Sequence, residues 1–102
     1  MDPEAIEQLI DSGRDGYEAR LAAGQARLEQ GDLNLAAEHL RKATDFKPDQ
    51  TMGWMDLGKA LSQSGDDDGA REAWAKGVER AAANGDKQAE KIMGVWLKRL
   101  DD

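Results

Sequence analysis

Identities recur along the chain at a fixed step of 34 residues, among them Gly24 and Gly58, Gly31 and Gly65, Asp32 and Asp66, Ala36 and Ala70, Lys42 and Lys76. Leu40 and Trp74 hold one bulky apolar slot in the same register. A period between about 20 and 50 residues marks a stacked architecture, in which one unit buries its apolar face against the next. Such stacks present surfaces to other chains more often than they build active sites. The recurrence therefore constrains both the fold and the kind of work the chain does.

Between the recurring residues the pattern is helical, and no run alternates as a strand would. Asp2 and Pro3 open a short helix whose apolar edge is Ile6, Leu9 and Ile10, with Pro3 at the first position, where a missing N–H is harmless. Gly13 and Gly16 end it, and Asp15 is placed to cap the next helix, about Tyr17 to Gln30. Gly31-Asp32 then acts as stop and cap. A third helix runs from about Leu33 to Phe46, with Leu33, Ala36, Ala37, Leu40 and Ala43 on one side. Pro48 stops it and Asp49 starts another. The cycle repeats through Trp54, Leu57, Gly58 and Leu61, a break at Gly65-Asp66, and a fifth helix with Ala70, Ala73, Trp74, Gly77, Val78 and Ala81. After Asn84-Gly85-Asp86 the last helix, about Lys87 to Leu100, carries Ala89, Ile92, Met93, Trp96, Leu97 and Leu100 as an amphipathic stripe.

These residues resemble the tetratricopeptide repeat, a helix–turn–helix unit of 34 residues. Ala23, Gly24, Gly31, Asp32, Ala36, Leu40, Ala43 and Pro48 match it in residues 17–50, and Trp54, Leu57, Gly58, Leu61, Gly65, Asp66, Ala70, Trp74 and Gly77 match it in residues 51–84. The expected organisation is one domain: a short N-terminal helix and turn (1–16), repeat 1 (17–50), repeat 2 (51–84) and a capping helix (85–102). Met93-Gly94 and Leu97 echo Leu57-Gly58 and Leu61 at a step of 36, so the cap looks like a third unit that does not complete. Arg20 and Arg27 stand where the motif has large residues in the first unit; their stems are expected to lie along the N-terminal helix. The resemblance extends over the whole chain to small stand-alone bacterial tetratricopeptide proteins. It implies an all-α, right-handed superhelix of antiparallel helix pairs with a C-terminal capping helix.

The resemblance also implies a concave inner face built from the first helix of each unit. Its positions here are Glu18, Leu21, Ala22, Gln25 and Leu28, then Met52, Met55, Asp56, Lys59 and Ser62. Glu18, Leu21, Gln25, Leu28, Met52, Met55, Asp56 and Lys59 are the candidate partner-binding residues. Flexible thioethers adapt to varied partners, and the mix of apolar and polar positions fits an extended or helical peptide. The lysine, asparagine and arginine set with which some members clamp a terminal carboxylate is missing. A second reading is self-association through an exposed end of the stack, at Leu9 and Ile10 or at Val95, giving a monomer or weak homo-oligomer.

Composition narrows the classes further. The net charge is −7, with 14 basic residues against 21 acidic ones, which disfavours nucleic acid and anionic membranes. With no cysteine there is no disulfide, zinc thiolate or thiol nucleophile. No stretch approaches the roughly 18 apolar residues of a membrane span, and the acidic start Met1-Asp2-Pro3-Glu4 does not read as a secretory signal; a cytoplasmic protein is expected. Asp66-Asp67-Asp68 lacks the ligand spacing of a calcium loop and reads as an acid-dressed helix start. His39 is the single histidine, expected on an outer or inter-helix surface without an orienting partner. Glu72 and Lys76 are spaced as an intrahelical pair. Trp54, Trp74 and Trp96 read as core anchors. No constellation supports catalysis, and no cofactor or metal is expected.

Overall fold

A computed structural model describes residues 2–102; Met1, at the head of the expected N-terminal segment, lies outside the described residues. Helices α1 (Pro3–Asp11), α2 (Tyr17–Glu29), α3 (Leu33–Phe46), α4 (Thr51–Gln63), α5 (Asp67–Asn84) and α6 (Lys87–Asp101) follow one another, and no strand occurs among the described residues. Gly31 and Gly65 end α2 and α4 at φ of 81° and 90°, a left-handed geometry that costs an ordinary residue about 1–2 kcal/mol. The amides of Asp32 and Asp66 then reach back to the carbonyls of Arg27 and Leu61, closing both turns in the same way.

The capping aspartates part company after those turns. The Asp66 carboxylate accepts the Gly69 N–H at 2.9 Å, Asp86 accepts that of Ala89 at 3.1 Å, and Asp2 accepts that of Glu4 at 3.0 Å. Asp32 makes no cap bond and takes Arg27 Nη1 at 2.9 Å. Asp15 does not cap α2 either: Gly16 holds the cap position, and Asp15 accepts two bonds from Arg20. In both departures a guanidinium stands within reach, and a charge-assisted bond is the stronger claim on a carboxylate. Helix α4 starts at Thr51, with Gln50 and not Asp49 at its cap position.

Helices pack in sequence, α2 on α3, α3 on α4, α4 on α5 and α5 on α6. One core runs through Ala36, Leu40, Leu57, Ala60, Leu61, Ala70, Ala73, Trp74, Ala81, Ala89 and Met93. The recurring glycines explain how the pairs close. A Cβ on Gly24 would lie 2.5 Å from Leu40 Cγ, and one on Gly58 would lie 2.6 Å from Trp74 Cε2 and nearer still to Nε1 and Cδ1. Each notch receives the bulky residue 16 positions later, so the axes of α2 and α3, and of α4 and α5, approach closely. The Trp74 indole N–H donates to the Met55 carbonyl at 3.0 Å, which satisfies the one polar atom of a buried ring.

A second, smaller cluster of Ile6, Ile10 and Ala23 docks α1 on α2. Leu9 is exposed, whereas Ile10 is buried and so unavailable for the self-contact expected of it. The two arginines that stand where the motif has large residues act through their charged ends. Arg27 donates Nη2 and Nε to the Glu7 carboxylate at 2.6 and 3.0 Å, tying α2 to α1. Arg20 Nη1 donates to His39 Nδ1 at 3.1 Å, and His39 Nε2 lies 2.7 Å from Glu7 Oε2. Arginine has no acceptor, so Nδ1 must accept and the ring proton sits on Nε2, facing Glu7. His39 thus lies buried between helices, the second of the two placements expected for it, but it is oriented from both sides, contrary to the expectation of no orienting partner; these contacts lie 19 and 32 residues away in sequence. Glu72 and Lys76 are absent from the ion pairs among the described residues; Arg71 pairs instead with Asp68 and Asp101.

Candidate functional site

Helices α2 and α4 carry the residues expected on the inner face, and a polar line runs from them to α6. Gln25 Nε2 on α2 donates to Asp56 Oδ2 on α4 at 2.8 Å. Lys59, one turn further along α4, lies 3.8 Å from Asp56 Oδ1 and places its ammonium 5.3 Å from the centre of the Trp96 ring on α6. Cation–ring attraction at that distance holds the lysine over the aromatic face. Burial pushes the Asp56 carboxyl above the usual carboxylate range, with the Gln25 bond and the Lys59 charge working the other way. Three of the candidate residues therefore form one connected set.

The remaining candidates differ in how much surface they offer. Met52 is 46% exposed, whereas Met55 is 8% and Asp56 4% exposed. Met55 is drawn inward because α4 is flanked on both sides, by α3 and α5, and its side chain joins the main core. Leu21 and Leu28 are half-buried against the same core. Glu18 is exposed and accepts from Lys47 Nζ at 3.3 Å; that ammonium also stands 5.6 Å from the Tyr17 ring centre.

Two hollows open along this side. One, of about 340 Å³, lies between the first turns of α4 and α6 and is lined by Gln50, Thr51, Met52, Met55, Asn84, Asp86 and Ala89. The other, of about 320 Å³, is lined by Lys59, Ser62, Gln63, Trp74 and Trp96. Trp96 was legible in the sequence only as a core anchor. It packs its ring 5.0 Å from that of Trp74, tilted by 44°, and is half-buried, so one flank of it lines the surface. Its spacing from Lys59, 37 residues, gives no sequence signal, because it depends on how α6 leans on α4.

A family model for the tetratricopeptide repeat matches residues 17–50. Over 98 residues the chain is 44% identical to TPR repeat-containing protein PA0015 of Pseudomonas aeruginosa, covering 96% of this chain and 93% of that protein. The chain belongs to the tetratricopeptide repeat family. The solution structure of protein BPP2914 from Bordetella parapertussis superposes with a TM-score of 0.82 at 37% identity, over 99% of this chain and 88% of that one. The tetratricopeptide fold accounts for the helix pairs, with α6 capping the stack, and its repeats are non-catalytic modules of protein–protein interaction. In this tetratricopeptide protein no helix among the described residues is long and apolar enough to cross a membrane.

Proposed function

We propose that this chain holds a segment of another protein, extended or helical, along the inner face formed by α2, α4 and α6, and that it does so without catalysis. Repeat 1 (17–50) and repeat 2 (51–84) supply the wall, with residues 85–102 closing its end. Glu18, Leu21, Gln25, Leu28, Met52, Met55, Asp56 and Lys59 are its binding residues, in unequal roles. Met52 is the observation that carries the reading: a large, flexible apolar side chain nearly half exposed beside a hollow, where exposed apolar surface tends to mark a contact. Met55 and Asp56 act as floor, and Lys59 offers the cation. The expected cellular setting is the cytoplasm.

The test compares inner-face with outer-face substitutions in retaining partners on the immobilised chain. Met52→Glu and Lys59→Glu are expected to lose the partner that wild type retains, while Glu72→Lys on α5 keeps it. Met55 is unsuitable for this purpose, because a glutamate there would be buried in the core. Retention by both inner-face variants, with helix content unchanged by circular dichroism, would remove the groove assignment.

A further inference from the structure

Gly94 is the one mid-helix glycine for which the fold gives no reason. It is the counterpart on α6 of Gly24 and Gly58, whose notches receive Leu40 and Trp74, yet a Cβ built on Gly94 meets nothing within 4 Å. Glycine is the poorest helix former after proline, so the fold alone favours alanine here. A glycine on an open helix surface permits the backbone of another helix to come close.

The residues around Gly94 specify which helix. Lys87, Glu90, Gly94, Leu97 and Asp101 are spaced 3, 4, 3 and 4 apart, and Lys98 lies beside them, so they share one side of α6. Their charges are opposite about Gly94: four residues before it is Glu90 and four after is Lys98; seven before is Lys87 and seven after is Asp101. A copy of α6 laid antiparallel, Gly94 against Gly94, sets Lys98 opposite Glu90 and Lys87 opposite Asp101, each pair formed twice. Lys87, Glu90 and Lys98 have no ion-pair partner among the described residues, and Arg71 engages Asp101 through Oδ1, leaving Oδ2. Leu97 is half-buried and Val95 is 44% exposed, so each copy brings apolar surface on both sides of the glycine.

We propose that α6 is a homodimer interface, in which a second copy docks antiparallel along the Lys87–Asp101 side with the two Gly94 residues facing one another across a two-fold axis. Such an interface is self-complementary, as two-fold contacts require. Two helices of 15 residues overlap along only about 22 Å. That contact falls below the ~1,200 Å² of standard interfaces and makes a weak, concentration-dependent dimer. It leaves α2 and α4 clear and engages only α6, the helix that closes the proposed inner face; because sedimentation uses the chain alone, its outcome is read apart from partner binding.

The test is sedimentation equilibrium of the full chain from about 10 µM to about 1 mM at low ionic strength, where charge pairs are least screened. Wild type is expected to pass from monomer to dimer. Glu90→Lys and Lys98→Glu each turn two attractions into repulsions and are expected to raise the dissociation constant about tenfold or more. The double variant Glu90→Lys/Lys98→Glu restores complementarity and is expected to return to within about threefold of wild type. Gly94→Leu keeps its helix content and loses the dimer. A chain that is monomeric throughout overturns the proposal, as does a dimer that the single charge reversals leave intact or that the double variant does not restore.

Discussion

Gly58→Ala and Gly94→Ala make the same chemical change at corresponding positions of α4 and α6, and the structure predicts opposite signs. Alanine is the better helix former by about 1 kcal/mol, so that gain is common to both. At Gly94 nothing opposes it, because the added methyl meets no atom within 4 Å. Stabilisation of about 0.5–1 kcal/mol is expected there. At Gly58 the methyl would overlap Trp74 at Nε1, Cδ1 and Cε2. The indole cannot swing aside freely, since its N–H is bonded to the Met55 carbonyl and its other flank packs on Trp96. Overpacking costs about 1–3 kcal/mol, and displacing the buried hydrogen bond costs about 1 kcal/mol more. Against the helix gain, a net loss of about 1–3 kcal/mol remains. In a domain of this size 1 kcal/mol moves the melting temperature by about 4–8 °C, so the two variants should separate clearly from wild type in opposite directions. Urea unfolding followed by circular dichroism reads both values. If Gly58→Ala is as stable as wild type, the close crossing of α4 and α5 is wrong. If Gly94→Ala destabilises the monomer, the Gly94 surface is not open.

Three further outcomes follow from the charges. The Glu7 carboxyl is held at about 2, below its ordinary 4.5, first by the Arg27 hydrogen bonds and then by His39, against the opposing effect of burial. Because the folded value is depressed, the stabilisation is whole above pH 4.5 and is lost as pH falls towards 2. Glu7→Ala should therefore cost stability at pH 7; with 22% of the side chain still accessible, solvent screening limits the loss to about 1–2 kcal/mol. The difference from wild type should shrink as pH falls through about 2 and vanish only below it, as acid titrations of both proteins would reveal. At Asp56 the sign reverses: burial raises its carboxyl above the usual 3.8, so the ionised form is the costly one at pH 7 and protonation on acidification relieves it. Asp56→Asn, which still offers Gln25 an acceptor, should be neutral to stabilising at pH 7 and should lose any advantage below the carboxylate range. Last, Lys59→Met keeps most of the stem but removes the cation over Trp96; the Trp fluorescence of the folded chain should change with little loss of stability, and an unchanged spectrum would contradict the contact.

The step of 34 made the helix pairs readable because it rests on local chemistry. Gly31 and Gly65 must adopt left-handed backbone, and Gly24 and Gly58 must admit a neighbour, wherever the rest of the chain goes. What the sequence could not carry was competition between distant groups. Asp32 and Asp66 occupy the same register, yet only Asp66 caps its helix, because Arg27 reaches Asp32 and no arginine stands at the equivalent Leu61. His39 looked partnerless because Glu7 and Arg20 come to it from other helices. The residues expected on the inner face share a helical register, and three of them, Gln25, Asp56 and Lys59, are connected in the structure. Their depth was not legible, since the burial of Met55 depends on how tightly α3 and α5 flank α4.

The direct measurement of the central claim is site-specific photo-cross-linking of the chain to whatever protein it binds. A photoreactive side chain at Met52, on the inner face, is expected to trap a partner adduct, and one at Glu72, on α5, is expected to trap none. Adducts from position 72 with none from position 52 would contradict the assignment of the inner face as the place where this repeat protein holds its partner.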